Sequence, residues 1–265
     1  QDSTIEEKSW AKEGTLSWAE APISEQEWHE VVEKGKFTKM RREKVVLRAL
    51  LYLHAEYGKM VRSLINALLE WAIVPTTMKA YMRVLIAKGN GMGCRPIAVP
   101  FDLAAAIGNI IYMRASKVVQ SSIVSEFVLS YRKGIGTTAA NIVAKAMRED
   151  ALQFSKSLYL IMSDWQKFFD SINPFSVEIA AKHLKAPESL RTFLAEDMYD
   201  VHFALLTDIG VSNLTVHEIG LKQGNAVSCL VVLLLGHMFA RMLIQSGGTY
   251  EMSSGFESIS VPCLI

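Results

Sequence analysis

Two aspartates bracket an aromatic turn in Ser157–Asn173, SLYLIMSDWQKFFDSIN. Asp164 ends an apolar run, Leu158 to Met162, long enough for a buried strand. A carboxylate at the end of such a strand is costly unless a cation meets it. Mg²⁺ carrying a triphosphate would do so, because it binds through one or two carboxylates plus substrate phosphates. A plainer role stays open, an aspartate that caps the next turn. Further on, Gly220-Leu-Lys-Gln-Gly224 offers a glycine-bounded loop around Gln223. Glycine there permits close backbone approach, although a bare GxxxG is equally an ordinary turn. Lys88 and Arg95 flank a glycine-rich turn and could hold phosphate, arginine in bidentate fashion; the alternative is a surface hairpin with ordinary charges.

These residues need a scaffold. Thr77–Lys88 reads as a strand, Gly89–Gly93 as a turn, and Arg95–Val99 as the returning strand. The glycines lack the GK[ST] ending of a phosphate-binding Walker loop. Asp102–Val119 and Thr137–Asp150 read as helices. Ser171, Asn173 and Pro174 start a helix over 174–185, with a second over 188–206 and a hairpin over 207–221. Near the N-terminus, Ser24 and Glu27 form a capping box ahead of Trp28, Val31 and Val32. Residues 43–72 carry apolar side chains at helical spacing, with Gly58 dividing two helices. Ala226–Ile244 nears the length of a membrane span. Gly236, His237 and Arg241 interrupt it and no basic flank follows, so it reads as a buried helix.

Composition sets outer bounds. The 265 residues suffice for one large domain or two small ones, and half are hydrophobic. A charged fraction of 21% argues against a disordered chain. The net charge of +1 does not advertise nucleic-acid binding, which leaves local patches such as Lys39–Lys44 and Arg132-Lys133. Cys94, Cys229 and Cys263 show no metal spacing and read as reduced thiols of an intracellular protein.

Four blocks in order, CRPIAVPFDL (94–103), YRKGIGTT (131–138), DWQKFFDSIN (164–173) and GLKQGNAVS from Gly220, resemble the reverse transcriptases of non-LTR (LINE-type) retrotransposons. The resemblance implies an α/β (α+β) right-hand polymerase palm and fingers with a helical N-terminal extension and no thumb. It divides the chain into a loose leader at 1–21, the extension at 22–76 and an incomplete fingers and palm at 77–265. It implies an RNA-directed DNA polymerase joining a dNTP to a primer 3′-hydroxyl through two Mg²⁺ (or Mn²⁺) ions, roughly 3.5–4 Å apart in such sites. Asp164 would be the catalytic carboxylate and a metal ligand, with the backbone carbonyl of Trp165 beside it. Arg95, Lys88, Phe169, Gln223 and Gly224 would bind the nucleotide, Phe169 by stacking under the sugar and blocking a 2′-hydroxyl. Arg132 and Lys133 would lie against template or primer. Asp170 would cap the following helix or pair with a lysine, and Ser228 would cap the helix after the glutamine loop.

Departures from the pattern fall at Phe168, at Asn225 and after Lys36. The family's Tyr/Phe-x-Asp-Asp block does not appear. The expectation is a fragment cut just ahead of it and inactive alone. The implied partners are an RNA template, a DNA primer or target and dNTP, with no membrane; a nuclear location follows from ancestry only. Two rivals stand beside this reading: a viral RNA polymerase or group II intron maturase fragment, and a decayed remnant confined to nucleic-acid binding.

Overall fold

The computed structural model describes residues 21–34, 55–89, 91, 93–118, 128–132, 134–162, 165, 167–183, 185–217, 219–253 and 258–261. Asp164, Lys133, the leader at 1–20 and the segment 43–54 lie outside them. The chain is mixed α+β. Helices α1 (Glu25–Lys34), α2 (Ala55–Glu70) and α3 (Thr76–Lys79) lead into strands β1 (Tyr81–Ala87) and β2 (Cys94–Pro100). Then come α4 (Asp102–Val118), α5 (Thr137–Gln153), α6 (Phe168–Ser171), α7 (Pro174–His183) and α8 (Glu188–Glu196). Strands β3 (Val201–Thr207), β4 (Gly210–Val211) and β5 (Thr215–His217) precede the long α9 (Ala226–Gln245), and β6 (Tyr250–Ser253) and β7 (Ser258–Val261) close the described part.

The capping box of α1 forms as its residues require. The Ser24 backbone N–H donates to Glu27 Oε2 at 2.9 Å, and the Glu27 N–H donates to Ser24 Oγ at 3.2 Å. Glu27 also takes a forked pair from Arg114 on α4, at 2.7 and 2.9 Å. Trp28 and Val31 are buried, and they join Ile65, Leu68, Val74 and Met78 in one core with α4, α7, α8 and α9. The N-terminal helices therefore share the core of the residues that follow them. Gly58 does not divide two helices; α2 runs through it, as a single glycine costs only about 1 kcal/mol in a helix interior.

β2, β1, β3 and β4 form the sheet in that order, and β5 pairs with β3. β1 and β2 make the expected antiparallel hairpin, with Ile86 opposite Arg95. β3 runs parallel to β1, Tyr81 opposite Phe203. The helix expected over 188–206 ends early. Its last turn closes at Asp197, Asp200 turns left-handed at φ 52°, and Val201 starts the strand. β-branched and aromatic side chains at 201 and 203 suit a pleated, half-buried surface. Likewise residues 77–79 are helical, and the first strand begins only at Tyr81.

The apolar run before Asp164 departs further. Residues 158–162 form no strand, and Tyr159, Ile161 and Met162 are 87%, 90% and 88% exposed. Lys156 shows why. Its Nζ reaches Asp150 Oδ2 at 3.3 Å, the Glu251 carbonyl at 2.7 Å and Ser253 Oγ. Asp150 in turn accepts from the Tyr250 hydroxyl and the Ser253 N–H. The end of α5 is thus fastened to β6, whose ladder partner is β7, and the run leaves this junction with no ladder among the described residues.

α9 is long and apolar enough to cross a membrane by length and composition, yet more than half of it is buried inside the protein. It packs against α4 and α7, with Val231, Leu233 and Ala240 fully enclosed. Burying each large apolar side chain contributes about 1.5–3 kcal/mol, so the helix is a central element of this core.

Candidate functional site

The glutamine loop, residues 220–225, is tied on three sides. The Leu221 N–H donates to the Phe169 carbonyl of α6 at 2.7 Å, and the Ala98 N–H of β2 donates to the Gln223 carbonyl at 2.6 Å. Lys222 is buried and its Nζ reaches Asp197 Oδ1 at 2.6 Å. The Lys222 carbonyl accepts from the Asn225 N–H at 3.0 Å and from Ser228 Oγ at 2.9 Å. Two left-handed glycines make these approaches possible, Gly220 at φ 115° and Gly224 at φ 106°. A Cβ on Gly224 would stand 3.0 Å from the Ala98 carbonyl oxygen and 3.1 Å from Ile97.

Phe169 sits half-buried at the meeting point. Its ring packs edge-on against Phe168 at 5.8 Å and Tyr131 at 6.4 Å. Tyr131 opens the YRKG turn, and the Tyr112 hydroxyl donates to its carbonyl. Ala98, Tyr131, Phe168 and Phe169 thus gather around the 220–225 loop. Trp165 is half exposed and packs on Phe168 and Phe239.

Other sequence candidates stand apart. Arg132 donates to the Val128 carbonyl at 3.4 Å. Arg95 and Lys88 are exposed on the hairpin. At about 3.3 Å per residue, Arg95 lies roughly 10 Å along β2 from the Ala98 anchor. By strand alternation it stands on the face of Ile97 and Val99, opposite Tyr81 and Arg83.

Asp170 and Ser228 do not cap. The Asn173 side chain accepts from the Phe175 N–H at 2.9 Å, and Asn225 accepts from the Val227 N–H to start α9. Each sits just ahead of its helix, where a short polar side chain can reach an unpaired N–H. Asp170 instead acts through its field: burial raises the Tyr81 pKa and Asp170 adds a little, while burial lowers the His217 pKa and Asp170 opposes it in small part.

Several residues that shape the site carried no weight in the sequence. Arg83 is braced flat over Phe203, 3.8 Å from the ring centre, and donates to the Tyr81 hydroxyl at 2.7 Å. That hydroxyl lies 3.3 Å from His217 Nδ1. Burial first, and then the Arg83 charge, lower the His217 pKa. This preorganised cation shares a sheet face with Ala98. Lys222 and Asp197 were not paired by the sequence either, because only the fold joins residues 25 positions apart.

Gly108 on α4 backs the loop. A Cβ there would lie 2.9 Å from Asn225 Oδ1 and 3.2 Å from Val227. Gly108→Ala gains about 0.5–1 kcal/mol of helix propensity but displaces a buried cap worth about 1 kcal/mol and crowds Val227 at about 1–3 kcal/mol. The expected result is a net loss of about 1–3 kcal/mol, read by urea unfolding; a stabilised variant would overturn the packing account.

With Asp164 outside the described residues, the expected donors for Mg²⁺ reduce to the Trp165 carbonyl. Among the described residues no three acidic, imidazole or thiol groups converge.

No family model matches the chain, and no curated protein matches it. Among solved structures, a chain described as "Partial Cas6-RT-Cas1--Cas2 complex" superposes with a TM-score of 0.45 at 16% identity, covering 93% of this chain and 38% of that one. The present chain thus spans well under two thirds of that chain's length.

Proposed function

We propose that this chain is the fingers and palm of a retroelement-type RNA-directed DNA polymerase, binding a deoxynucleoside triphosphate between the β1–β2 hairpin and α6. One observation carries the reading. The glutamine loop is hydrogen-bonded at once to the Phe169 carbonyl and to Ala98, so segments implicated separately by the motif resemblance line a single place. On this reading Gln223 and Gly224 contact base and sugar, Phe169 stacks beneath the sugar, and Arg95 and Lys88 hold phosphates. Asp164 and the Trp165 carbonyl would bind Mg²⁺ or Mn²⁺, which would activate the primer hydroxyl and neutralise the triphosphate. RNA template and DNA primer would pass along the Arg132-Lys133 turn.

A second reading, nucleic-acid binding without catalysis, is favoured by one observation: the run leading to Asp164 has no described ladder to brace it.

The test is titration of the 265-residue chain with fluorescent dNTP and rNTP in Mg²⁺. The polymerase reading expects dNTP to bind, Gln223→Ala to weaken it about tenfold (about 1.4 kcal/mol), and Phe169→Ala to reduce the preference for dNTP over rNTP by a similar factor. Absence of dNTP binding, or identical affinities for wild type and Gln223→Ala, overturns the reading.

A further inference from the structure

The last turn of α8 ends on two carboxylates, Glu196 and its C-cap Asp197. This is the negative end of the helix dipole, where acidic side chains are disfavoured. Each is met by a lysine from a different segment. Lys79 Nζ reaches Glu196 Oε2 at 2.9 Å, and Lys222 Nζ reaches Asp197 Oδ1 at 2.6 Å. Lys79 stands two residues ahead of β1, and Lys222 stands immediately ahead of Gln223. One helical turn therefore grips both the root of the hairpin strand and the root of the glutamine.

The second pair is deeply placed. Lys222 is 4% exposed, and a small cavity beside Asp197 is lined by Phe193, Gly108, Asn225 and Val227. A buried ion pair is a poor source of stability, because desolvation offsets much of the attraction. What it gives is direction. With Nζ held by Asp197 and the carbonyl held by Asn225 and Ser228, Lys222 is fixed at both ends. The next carbonyl, that of Gln223, has little freedom except to meet Ala98.

We propose that Asp197 and Lys222 are positioning residues, setting Gln223 against β2 so that nucleotide affinity depends on a helix that touches no nucleotide. The affinity half rests on the polymerase reading; the positioning half does not.

Amide hydrogen exchange of the full chain separates the two. Ala98 N–H bonds to the loop, whereas the Leu233 N–H, deep in α9, reports opening of the whole protein. In Lys222→Met the protection of Ala98 relative to Leu233 is expected to fall at least about tenfold, equivalent to about 1.4 kcal/mol. Asp197→Asn keeps an acceptor oxygen and should give a smaller fall; it serves if the methionine variant does not fold. The exchanged pair, Asp197→Lys with Lys222→Asp, should recover part of the protection, which a purely space-filling role would not. An unchanged Ala98-to-Leu233 ratio in the folded variants overturns the positioning role. Fluorescent dNTP in Mg²⁺ should bind Lys222→Met about tenfold more weakly than wild type, and equal binding despite lost Ala98 protection overturns the affinity half. A wild type that binds no dNTP sinks the polymerase reading instead, while the exchange ratio still decides the positioning role.

Discussion

Gly220→Ala is expected to destabilise the protein by about 3–7 kcal/mol. Three costs add. Gly220 holds φ 115°, beyond the left-handed helical region that side chains tolerate, and such strain costs roughly 1–3 kcal/mol. Its new Cβ would lie 2.7 Å from Asp170 Cα, 2.8 Å from the Phe169 carbonyl oxygen and 2.9 Å from the Asp170 carbonyl oxygen. All three are backbone atoms, so no side chain can rotate away, and crowding of this kind costs about 1–3 kcal/mol more. Relief requires α6 and the loop to part, which loses the Leu221 to Phe169 hydrogen bond, worth about 1 kcal/mol. For a chain of this size the melting temperature should drop by roughly 10 °C, at about 2–4 °C per kcal/mol. Calorimetry checks this directly, and a drop under about 3 °C would mean that α6 and Gly220 are not in contact as described.

That contact shows what could and could not be read from the residues. The capping box at Ser24 and Glu27, the hairpin around Gly89–Gly93 and the helix from Ala226 are local patterns, and each appears where its spacing requires. The convergence of the glutamine loop with the aromatic turn was legible only through the order of motifs. Nothing in periodicity joins Leu221 to Phe169. The failures have a common cause. Residues 201–206 fit a helix by their apolar spacing but pair with β5 at 201–203 and with β1 at 203–206, and the β1 partner is set by the whole intervening chain. The run at 158–162 has strand composition but no ladder among the described residues, and it follows the junction where Lys156 and Asp150 fasten the end of α5 to β6. Strand composition supplies a surface, and only a neighbour makes it a strand. Arg83 was visible as one charge among several, whereas its bracing by Phe203 and Tyr81 depends on parallel pairing of distant strands. Lys222 and Asp197 could have been suspected: acids at a helix C-terminus and a lysine between two glycines each ask for a partner.

Acid should weaken the protein well before its carboxylates titrate, through His237. This residue is fully buried within α9, and burial first, with Arg241 second, lowers its pKa from 6.5 to about 4. Between those values the unfolded chain binds a proton that the folded chain refuses, so stability falls as pH drops from 7 toward 4. At about 1.4 kcal/mol per pH unit the full loss approaches about 3 kcal/mol, with about 2 kcal/mol already gone at pH 5. His217, held low by burial and Arg83, adds in the same direction. Glu27 works in a separate window. Its pKa is lowered to about 2, chiefly by the hydrogen bond from Arg114, so its contribution persists above about pH 4.5 and fades only as pH falls toward 2. Urea unfolding at pH 7 and pH 5 therefore isolates the histidines, and His237→Leu should remove most of the difference. Equal stability of the wild type at the two pH values would show that the imidazole is not held neutral in the core. The consequence reaches the candidate site, because α9 begins at Ala226, directly after the Asn225 that caps it and closes the glutamine loop. Protonating His237 loads the same helix whose first turn, through Ser228, holds the carbonyl of Lys222 beside Gln223, so loop docking at Ala98 should loosen over the same pH range as the core.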